Sequence, residues 1–182
     1  MIYICDISNL EIEKENYKSK ESKVGYLLLK YALKEKGLDL KKYDISYNIN
    51  GKPYIKDINY HFNISHSNNL VCLIIDDNEC GIDIEMYDET RNFDKIVNKY
   101  FNDIDKETYY NLDLNKRNNF FYSIWVQIET HIKLLGLNMI NAKNLEYQKY
   151  PFKIISDKLN NIYYLSSNKE KELVTILYTN LI

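Results

Sequence analysis

Apolar side chains recur at helical spacing near the start of the chain. The stripe consists of Val24, Leu27, Leu28 and Tyr31. Gly37 stands just beyond it, at the position where a glycine commonly ends a helix. The pattern therefore predicts a helix over residues 18–36, with one face turned toward a core.

A longer stripe of the same kind marks the second half of the chain. It consists of Phe121, Ile124, Ile128, Ile132 and Leu135. Gly136 follows it, and Lys133 lies in the last turn, where a cation suits the helix dipole. The spacing predicts a helix over 117–135 with Ile128 on its buried face. Trp125, Glu129 and Lys133 are four residues apart and line a second face of this helix.

Shorter apolar runs predict strands. These runs are residues 2–7, 70–75, 80–86, 152–156, 162–166 and 172–179. The second and third runs are separated by Asp76, Asp77 and Asn78, whose turn chemistry predicts a hairpin between them. A helix is predicted near 92–101, and the pattern over 106–111 is ambiguous.

Both halves thus mix helices with antiparallel strands, which predicts the α+β class. The chain of 182 residues suits one large domain or two small ones packed together. A possible boundary near Gly81 divides it into an N-terminal half, 1–80, and a C-terminal half, 81–182.

Composition narrows the function classes. Hydrophobic residues at 45% and charged residues at 27% are ordinary for a globular protein. A net charge of −2 argues against the uniform positive field of a nucleic-acid binder. The three cysteines form no C-x-x-C pair, and the first residues have neither a basic region nor a long apolar run. We therefore expect a cytoplasmic protein without a membrane or nucleic-acid partner.

Two carboxylates form the first candidate for chemistry. Asp83 and Glu85 are two apart in a predicted strand, so both face the same side. They form half of a site for a hard cation, or a solvated pair on the surface. Glu129 and Lys133 likewise have an ordinary interpretation as a helix salt bridge. A lone histidine such as His66, in the polar run Phe62–Ser67, is usually an ordinary surface or core residue.

Read in order, the motifs point to one family. They are G-K-P at 51–53, F-N-I-S-H-S at 62–67, G-I-D-I-E at 81–85, K-Y-F at 99–101 and W-x-x-x-E-x-x-x-K at 125–133. Together they resemble the surfactin-type 4′-phosphopantetheinyl transferases, over roughly residues 20 to 140. The resemblance implies a pseudo-dimer of two similar α+β halves with coenzyme A in the cleft between them. It implies transfer of the 4′-phosphopantetheine arm of coenzyme A to a serine of an apo carrier protein, by a monomer.

The resemblance also implies roles for particular residues. The Mg²⁺ ligands would be Asp83, Glu85 and Glu129, and the phosphate contacts would be Lys52, Ser65 and His66. Lys133 would neutralise charge at the reacting phosphoryl group, and Trp125 would pack the helix. Glu129, or a water molecule at the metal site, would take the serine proton.

The match departs from the family pattern at several positions. The family's signature helix usually places a lysine before the glutamate and a small hydroxyl residue two positions earlier, where this chain has Ile128 and Val126. A further acidic residue of the site would be Asp105, with Glu107 as a rival. If the family lysine is dispensable in this chain, His131 or Lys143 would be the base that takes its place.

The adenosine 3′-phosphate would be bound by lysines at the start of the first helix. The candidates are Lys18, Lys20 and Lys23, although Glu21 occupies one plausible aligned position. Two other functions stay open. One is a non-catalytic module that binds coenzyme A or a carrier protein, which Ile128 and Val126 favour. The other is a metal-dependent phosphodiesterase that uses the three carboxylates.

Overall fold

The computed structural model describes residues 1–90, 92–140 and 146–182. The strands are β1 (Ile2–Asp6), β2 (Ile45–Tyr47), β3 (Pro53–Ile55), β4 (His61–Ser67), β5 (Leu70–Asp76), β6 (Ile82–Met86), β7 (Phe152–Ser156), β8 (Ile162–Ser167) and β9 (Leu173–Thr175). The helices are α1 (Lys20–Glu35), α2 (Asp94–Tyr100), α3 (Asp103–Asn111) and α4 (Leu114–Leu135), with 3-10 turns at Leu40–Lys42 and Tyr178–Asn180. The α+β class predicted from the sequence is confirmed.

The first sheet has the strand order β4-β5-β1-β9. The strands β4, β5 and β1 are antiparallel neighbours, whereas β9 lies parallel to β1. Asn68 makes the tight turn between β4 and β5 with a positive φ of 46°, a conformation that asparagine tolerates better than most residues. Helix α1 covers one face of this sheet with its buried side chains, which are Val24, Leu28, Leu29, Ala32 and Leu33.

The second sheet has the order β6-β8-β7, and all its pairings are antiparallel. Helix α4 lies against β6 and β8. Its apolar face packs with α2 and α3 into a core that is rich in aromatic rings, among them Phe93, Phe101, Phe121 and Trp125. Of the stripe predicted from the sequence, Phe121, Ile124, Ile128 and Ile132 are buried in this face, whereas its last member, Leu135, is 50% exposed at the end of the helix.

A third core joins the two sheets. The apolar side chains of β1 and β5 meet those of β6 and β8 there, including Ile4, Ile74, Ile82 and Tyr163. These residues are at most 7% exposed, so the two sheets share one dry interior.

The predicted hairpin between 70–75 and 80–86 is wrong. Strand β5 pairs with β4 and β1, whereas β6 pairs with β8 in the other sheet. The Asp76 carboxylate accepts a hydrogen bond from the Asn78 amide, and the chain then crosses between sheets instead of folding back. The strand that forms a hairpin with β5 is β4. Polar residues of β4, Asn63 and Ser65, are buried, so the strand lacks the usual alternation of buried apolar and exposed polar positions.

Two other segments differ from their predicted lengths. The ambiguous residues 106–111 belong to α3, and only 173–175 of the predicted strand 172–179 are extended. Since β9 pairs with β1, the end of the chain returns to the first sheet. The division into halves 1–80 and 81–182 stays a prediction. Within the described ranges, no helix has the length and apolar character needed to cross a lipid bilayer.

Candidate active site

Strand β6 presents two carboxylates on one face. Ile82 and Ile84 point into the core between the sheets, so the alternation of a strand turns Asp83 and Glu85 to the opposite side. Asp83 is only 1% exposed there. A buried carboxylate needs charge or hydrogen-bond partners, and α4 and β4 supply them.

Helix α4 approaches this face closely because residue 81 is a glycine. A Cβ atom at Gly81 would lie 2.5 Å from the carbonyl oxygen of Thr130 and 2.7 Å from the amide nitrogen of Leu134. Only a residue without a side chain permits this contact. The approach brings Glu129 and Lys133, one helical turn apart, over the strand.

Asp83, Glu85 and Glu129 converge, as the sequence predicts for a cation site, and form what we call the carboxylate cluster. One oxygen from each lies within 4.8 Å of the others. The oxygens bound to one Mg²⁺ lie about 3 to 4 Å apart, so small side-chain movements would close the cluster around an ion. Among the described residues, Asp83 Oδ2 has no hydrogen-bond partner although it is buried. The donor set therefore suits a hard divalent cation.

Lys133 lies against the same cluster. Its ammonium donates to Asp83 Oδ1 at 2.5 Å and to Ser65 Oγ at 2.7 Å, and it lies 3.9 Å from Glu129 Oε2. Burial alone would lower the pKa of Lys133, but the charges of Asp83 and Glu129 outweigh it and raise the pKa. Lys133 is thus held as a cation beside the carboxylates.

The surroundings of Glu129 disfavour its ionised form and raise its pKa. Burial is the main cause that raises its pKa to about 8, and the charge of Asp83 adds to it. Lys133 opposes this shift, and Glu85 contributes further to it. A bound cation would favour the ionised form of Glu129 in this environment.

The motif F-N-I-S-H-S forms β4, which lies beside β6. Its alternate side chains accept hydrogen bonds from every second amide of β6. Ile82 donates to Asn63 at 3.0 Å, Ile84 to Ser65 at 3.3 Å and Met86 to Ser67 at 3.0 Å. Asn63, Ser65 and Ser67 therefore satisfy the amides on the edge of β6 that, within the described residues, has no backbone pairing with another strand.

Both serines of this set also contact the carboxylate cluster. Ser65 Oγ donates to Asp83 Oδ1 at 2.9 Å, and Ser67 Oγ donates to Glu85 Oε2 at 3.3 Å. The sequence-based choice of site residues included Ser65 but missed Ser67. The signal was present, because Ser67 is two residues from Ser65 and a strand places both on the same side.

His66 lies on the other side of β4 and is exposed. It is close enough to the first turn of α1 to affect Glu21. Burial raises the pKa of Glu21, but hydrogen bonds from Ser19 and the backbone, with the charge of His66, outweigh burial and lower it.

Two of the lysine candidates lie in the first turn of α1. Lys20 is the first residue of the helix, and Lys23 is paired with Glu15 at 2.6 Å.

Lys52 has well-defined partners outside the carboxylate cluster. Its ammonium donates to Glu79 Oε2 at 2.8 Å, to the carbonyl of Leu134 at 2.9 Å and to the carbonyl of Cys80 at 3.3 Å. The side chain is 14% exposed. Lys52 thus contacts the end of α4 and the residues just before β6.

Asp105 belongs to a different cluster. It is 6% exposed at the start of α3, where its carboxylate accepts hydrogen bonds from Lys149 at 2.7 and 2.8 Å, from Asn102 at 2.9 Å and from Tyr147. The structure does not bring it together with the carboxylate cluster within the described ranges. Its rival, Glu107, is exposed on the same helix.

The remaining α4 positions are packed. Trp125 is 8% exposed, Ile128 is 3% exposed and Val126 is fully buried, which confirms the predicted burial of Ile128. His131, an alternative base in place of the family lysine, lies away from the cluster with its Nδ1 2.6 Å from the Tyr150 hydroxyl. A second alternative, Lys143, lies outside the described residues.

Comparisons with known proteins agree with this geometry. The family model of the 4′-phosphopantetheinyl transferase superfamily matches residues 79–175, slightly more than half of the chain. This range includes β6, α4 and all three members of the carboxylate cluster.

Three curated relatives carry transferase names. The 4′-phosphopantetheinyl transferase psf-1 of Bacillus pumilus is 28% identical over 121 residues, which cover 65% of this chain and 51% of the relative. The gsp enzyme of Aneurinibacillus migulanus is 34% identical over 89 residues, 49% of this chain and 36% of the relative. Sfp of Bacillus subtilis (strain 168) is 34% identical over 101 residues, 53% of this chain and 44% of the relative.

The chain thus spans about half, or less, of the length of the curated relatives it matches. The family model nevertheless covers the segment in which β6 and α4 bring the carboxylates together. On this match, the chain belongs to the 4′-phosphopantetheinyl transferase superfamily.

Proposed function

We propose that this protein transfers the 4′-phosphopantetheine arm of coenzyme A to a serine of an apo carrier protein. The observation that carries the proposal is the carboxylate cluster beside Lys133, in which Asp83 is buried and its Oδ2 is unpartnered among the described residues. The cluster lies within the segment that matches the superfamily. Acyl, peptidyl and aryl carrier proteins are the candidate acceptors.

The cluster would hold Mg²⁺ through Asp83, Glu85 and Glu129. When bound, the cation supplies positive charge that stabilises the pyrophosphate oxygens during phosphoryl transfer. The Asp83 oxygen that lacks a partner within the described ranges supports this assignment, because a buried carboxylate oxygen without a donor is costly unless a ligand meets it.

The protein's own groups would position and neutralise the reacting phosphates. Lys133, kept cationic by Asp83 and Glu129, would face the phosphoryl group together with the Ser65 hydroxyl. His66, with Lys20 and Lys23 at the start of α1, would contact the remaining phosphates. Lys23 would have to leave Glu15 for this contact, and a phosphate contact by Lys52 would require its ammonium to leave Glu79 and two carbonyls.

In the proposed reaction the carrier serine oxygen bonds to the phosphorus that bears the pantetheine group. The bond from that phosphorus to the bridging oxygen breaks, and 3′,5′-adenosine bisphosphate leaves. The serine proton goes to Glu129, which lies at the cluster and is 21% exposed. A catalytic role for Asp105 stays a prediction, since its described partners tie it to Tyr147 and Lys149.

We further propose where coenzyme A binds and where the protein acts. Coenzyme A would bind between the halves 1–80 and 81–182, where β4 and β6 lie side by side. The protein would act as a monomer in the cytoplasm, with the carrier protein as its macromolecular partner.

Intact-mass analysis tests the proposal directly. The protein is incubated with coenzyme A, Mg²⁺ and a panel of apo carrier proteins, and a carrier should gain the mass of phosphopantetheine. Asp83→Asn should lose about tenfold or more of the rate, because it removes a charged ligand while keeping the side chain's shape. Asp103→Asn, a matched change at an exposed aspartate of α3, should not alter the rate.

Other outcomes separate the alternatives. Binding of coenzyme A without loading of any carrier in the panel would favour a non-catalytic module, for which the buried Ile128 and Val126 are the supporting observation. Hydrolysis of coenzyme A in the absence of a carrier would favour the phosphodiesterase. Either result would refute the transferase proposal.

A further inference from the structure

The loop between β2 and β3, residues 48–52, forms hydrogen bonds with the end of α4. Asn48 Nδ2 and Asn50 Nδ2 both donate to the carbonyl of Gly136, at 3.1 and 2.9 Å. Lys52 adds its bond to the carbonyl of Leu134 at 2.9 Å. The last carbonyls of a helix have no partners within the helix, and these three side chains satisfy two of them.

Hydrogen bonds within the loop fix its conformation. Asn48 Oδ1 accepts hydrogen bonds from the Asn50 amide at 2.9 Å and from the Lys52 amide at 2.8 Å. The fit is close, since a Cβ atom at Gly136 would lie 2.6 Å from Asn48 Nδ2 and 3.2 Å from Lys52 Cδ. The side chain of Lys52 therefore approaches α4 from a fixed direction.

Lys52 also reaches the start of β6. Its ammonium contacts the Cys80 carbonyl and the Glu79 carboxylate, directly before Gly81. One cation thus bonds both to α4 and to the two residues that lie just before Gly81 and β6. Leu134 directly follows Lys133 in the chain, so movement of this turn would move the Lys133 ammonium.

We propose that Lys52 is a positioning residue, which holds the last turn of α4 against the start of β6 and so sets the spacing within the carboxylate cluster. This inference rests on the proposed function for its meaning in catalysis. It differs from the role that the sequence predicts for Lys52, a direct contact with the phosphates of coenzyme A. The two roles give opposite kinetic results.

Lys52→Met is the test variant, because it keeps an unbranched side chain and removes the charge. Titration calorimetry with Mg²⁺ alone should show an affinity about tenfold or more below that of the unaltered protein, as for other residues that orient metal ligands. The kcat for carrier loading should fall, whereas the KM for coenzyme A should change less than about twofold. Lys52→Arg should restore part of the loss, because it returns the donors and the charge.

Lys56→Met is the matched control. Lys56 follows β3, is exposed, and makes no side-chain hydrogen bond or ion pair among the described residues. It should leave Mg²⁺ affinity and kcat unchanged, so that a loss of surface charge alone is ruled out.

Several results would overturn the inference. An unchanged Mg²⁺ affinity with a raised KM for coenzyme A would make Lys52 a phosphate contact instead. Unchanged values of both would leave it without either role. If Lys52→Met does not fold, Asn50→Ala is the second variant, because it removes one of the two side-chain donors to the Gly136 carbonyl. Amide hydrogen exchange in the last turn of α4 should then accelerate. Unchanged exchange would show that the loop does not hold this turn in place.

The readouts keep this inference separate from the proposed function. If no carrier is loaded but Mg²⁺ affinity still depends on Lys52, the transferase proposal fails and the positioning role stands. If the unaltered protein does not bind Mg²⁺, both fail.

Discussion

At the scale of single residues, the two carboxylate oxygens of Asp83 have different surroundings. One oxygen is held by Ser65 and Lys133, while the other has no partner among the described residues. The strand pattern of the sequence predicts the direction of Asp83 and Glu85, and the helix pattern predicts that Glu129 and Lys133 share a face. Neither predicts the distance between strand and helix, which depends on Gly81.

Ile128 gives a residue-scale prediction. Replacement by lysine should lower the free energy of unfolding by about 3 kcal/mol or more, because the side chain lies in an apolar core and an ammonium buried there would be unpaired. Ile104→Lys, at an exposed isoleucine of α3, should cost far less. Urea unfolding monitored by circular dichroism measures both. A stable Ile128→Lys protein with faster carrier loading would contradict this prediction, since it would require the lysine to reach the site.

At the scale of elements, the sequence could not predict which sheet each strand joins. The strands β5 and β6 have suitable turn residues between them, yet the first sheet takes β5 and the second takes β6. Local turn chemistry does not decide between a hairpin and a crossover when both strands are apolar on the shared face. The sequence pattern likewise does not show that the polar face of β4 is buried. Its side chains accept the hydrogen bonds of β6 amides that a neighbouring strand would otherwise accept.

Gly81→Ala tests the contact between α4 and β6. The added Cβ would meet backbone atoms of Thr130 and Leu134 at 2.5 to 2.9 Å, so the helix must move. We expect a loss of about 1 to 3 kcal/mol in unfolding free energy, together with weaker Mg²⁺ binding. Gly25→Ala is the comparison, because the nearest atom there belongs to the Ile64 side chain at 3.0 Å and can adjust. Equal effects of the two variants on Mg²⁺ affinity would refute this account of Gly81.

Asp157 gives a prediction about acid stability at the turn between β7 and β8. Burial opposes ionisation, but hydrogen bonds from Asn161, Asn69 and Tyr163 outweigh it and lower the pKa of Asp157 to about 2. Because the folded pKa lies below the unfolded value of about 3.9, this carboxylate stabilises the protein above about pH 4 and loses its contribution as the pH falls toward 2.

Asp157→Asn should therefore cost about 1 to 2 kcal/mol at pH 7. The difference between the two proteins should shrink between pH 4 and pH 2, as measured by urea unfolding at each pH. Asp103→Asn, at an exposed position, is the control. A cost that stays constant down to pH 2 would show that the loss comes from the hydrogen-bond geometry and not from the charge.

At the scale of the whole molecule, the two sheets depend on each other. Residues 1–80 contain three strands of the first sheet, but its fourth strand, β9, comes from the far end of the chain. The core between the sheets takes side chains from both sides of residue 81. The order of elements in the sequence predicts a boundary near Gly81. The hydrophobic pattern of each segment does not reveal that β1 pairs with β9 across this boundary.

The final prediction concerns that boundary. Expressed alone, residues 1–80 and residues 81–182 should each remain largely unfolded, since each would expose the apolar residues of the shared core. Residues 1–80 would also leave β1 without its parallel neighbour. Mixing the two fragments should restore a folded complex, visible as a gain of circular dichroism and as one peak in size-exclusion chromatography. The intact chain should unfold in a single transition, because the shared core couples both sheets. Two independently folded fragments, or two separate transitions, would instead make residues 1–80 and 81–182 true domains and would reduce the contact between the sheets to an interface between them.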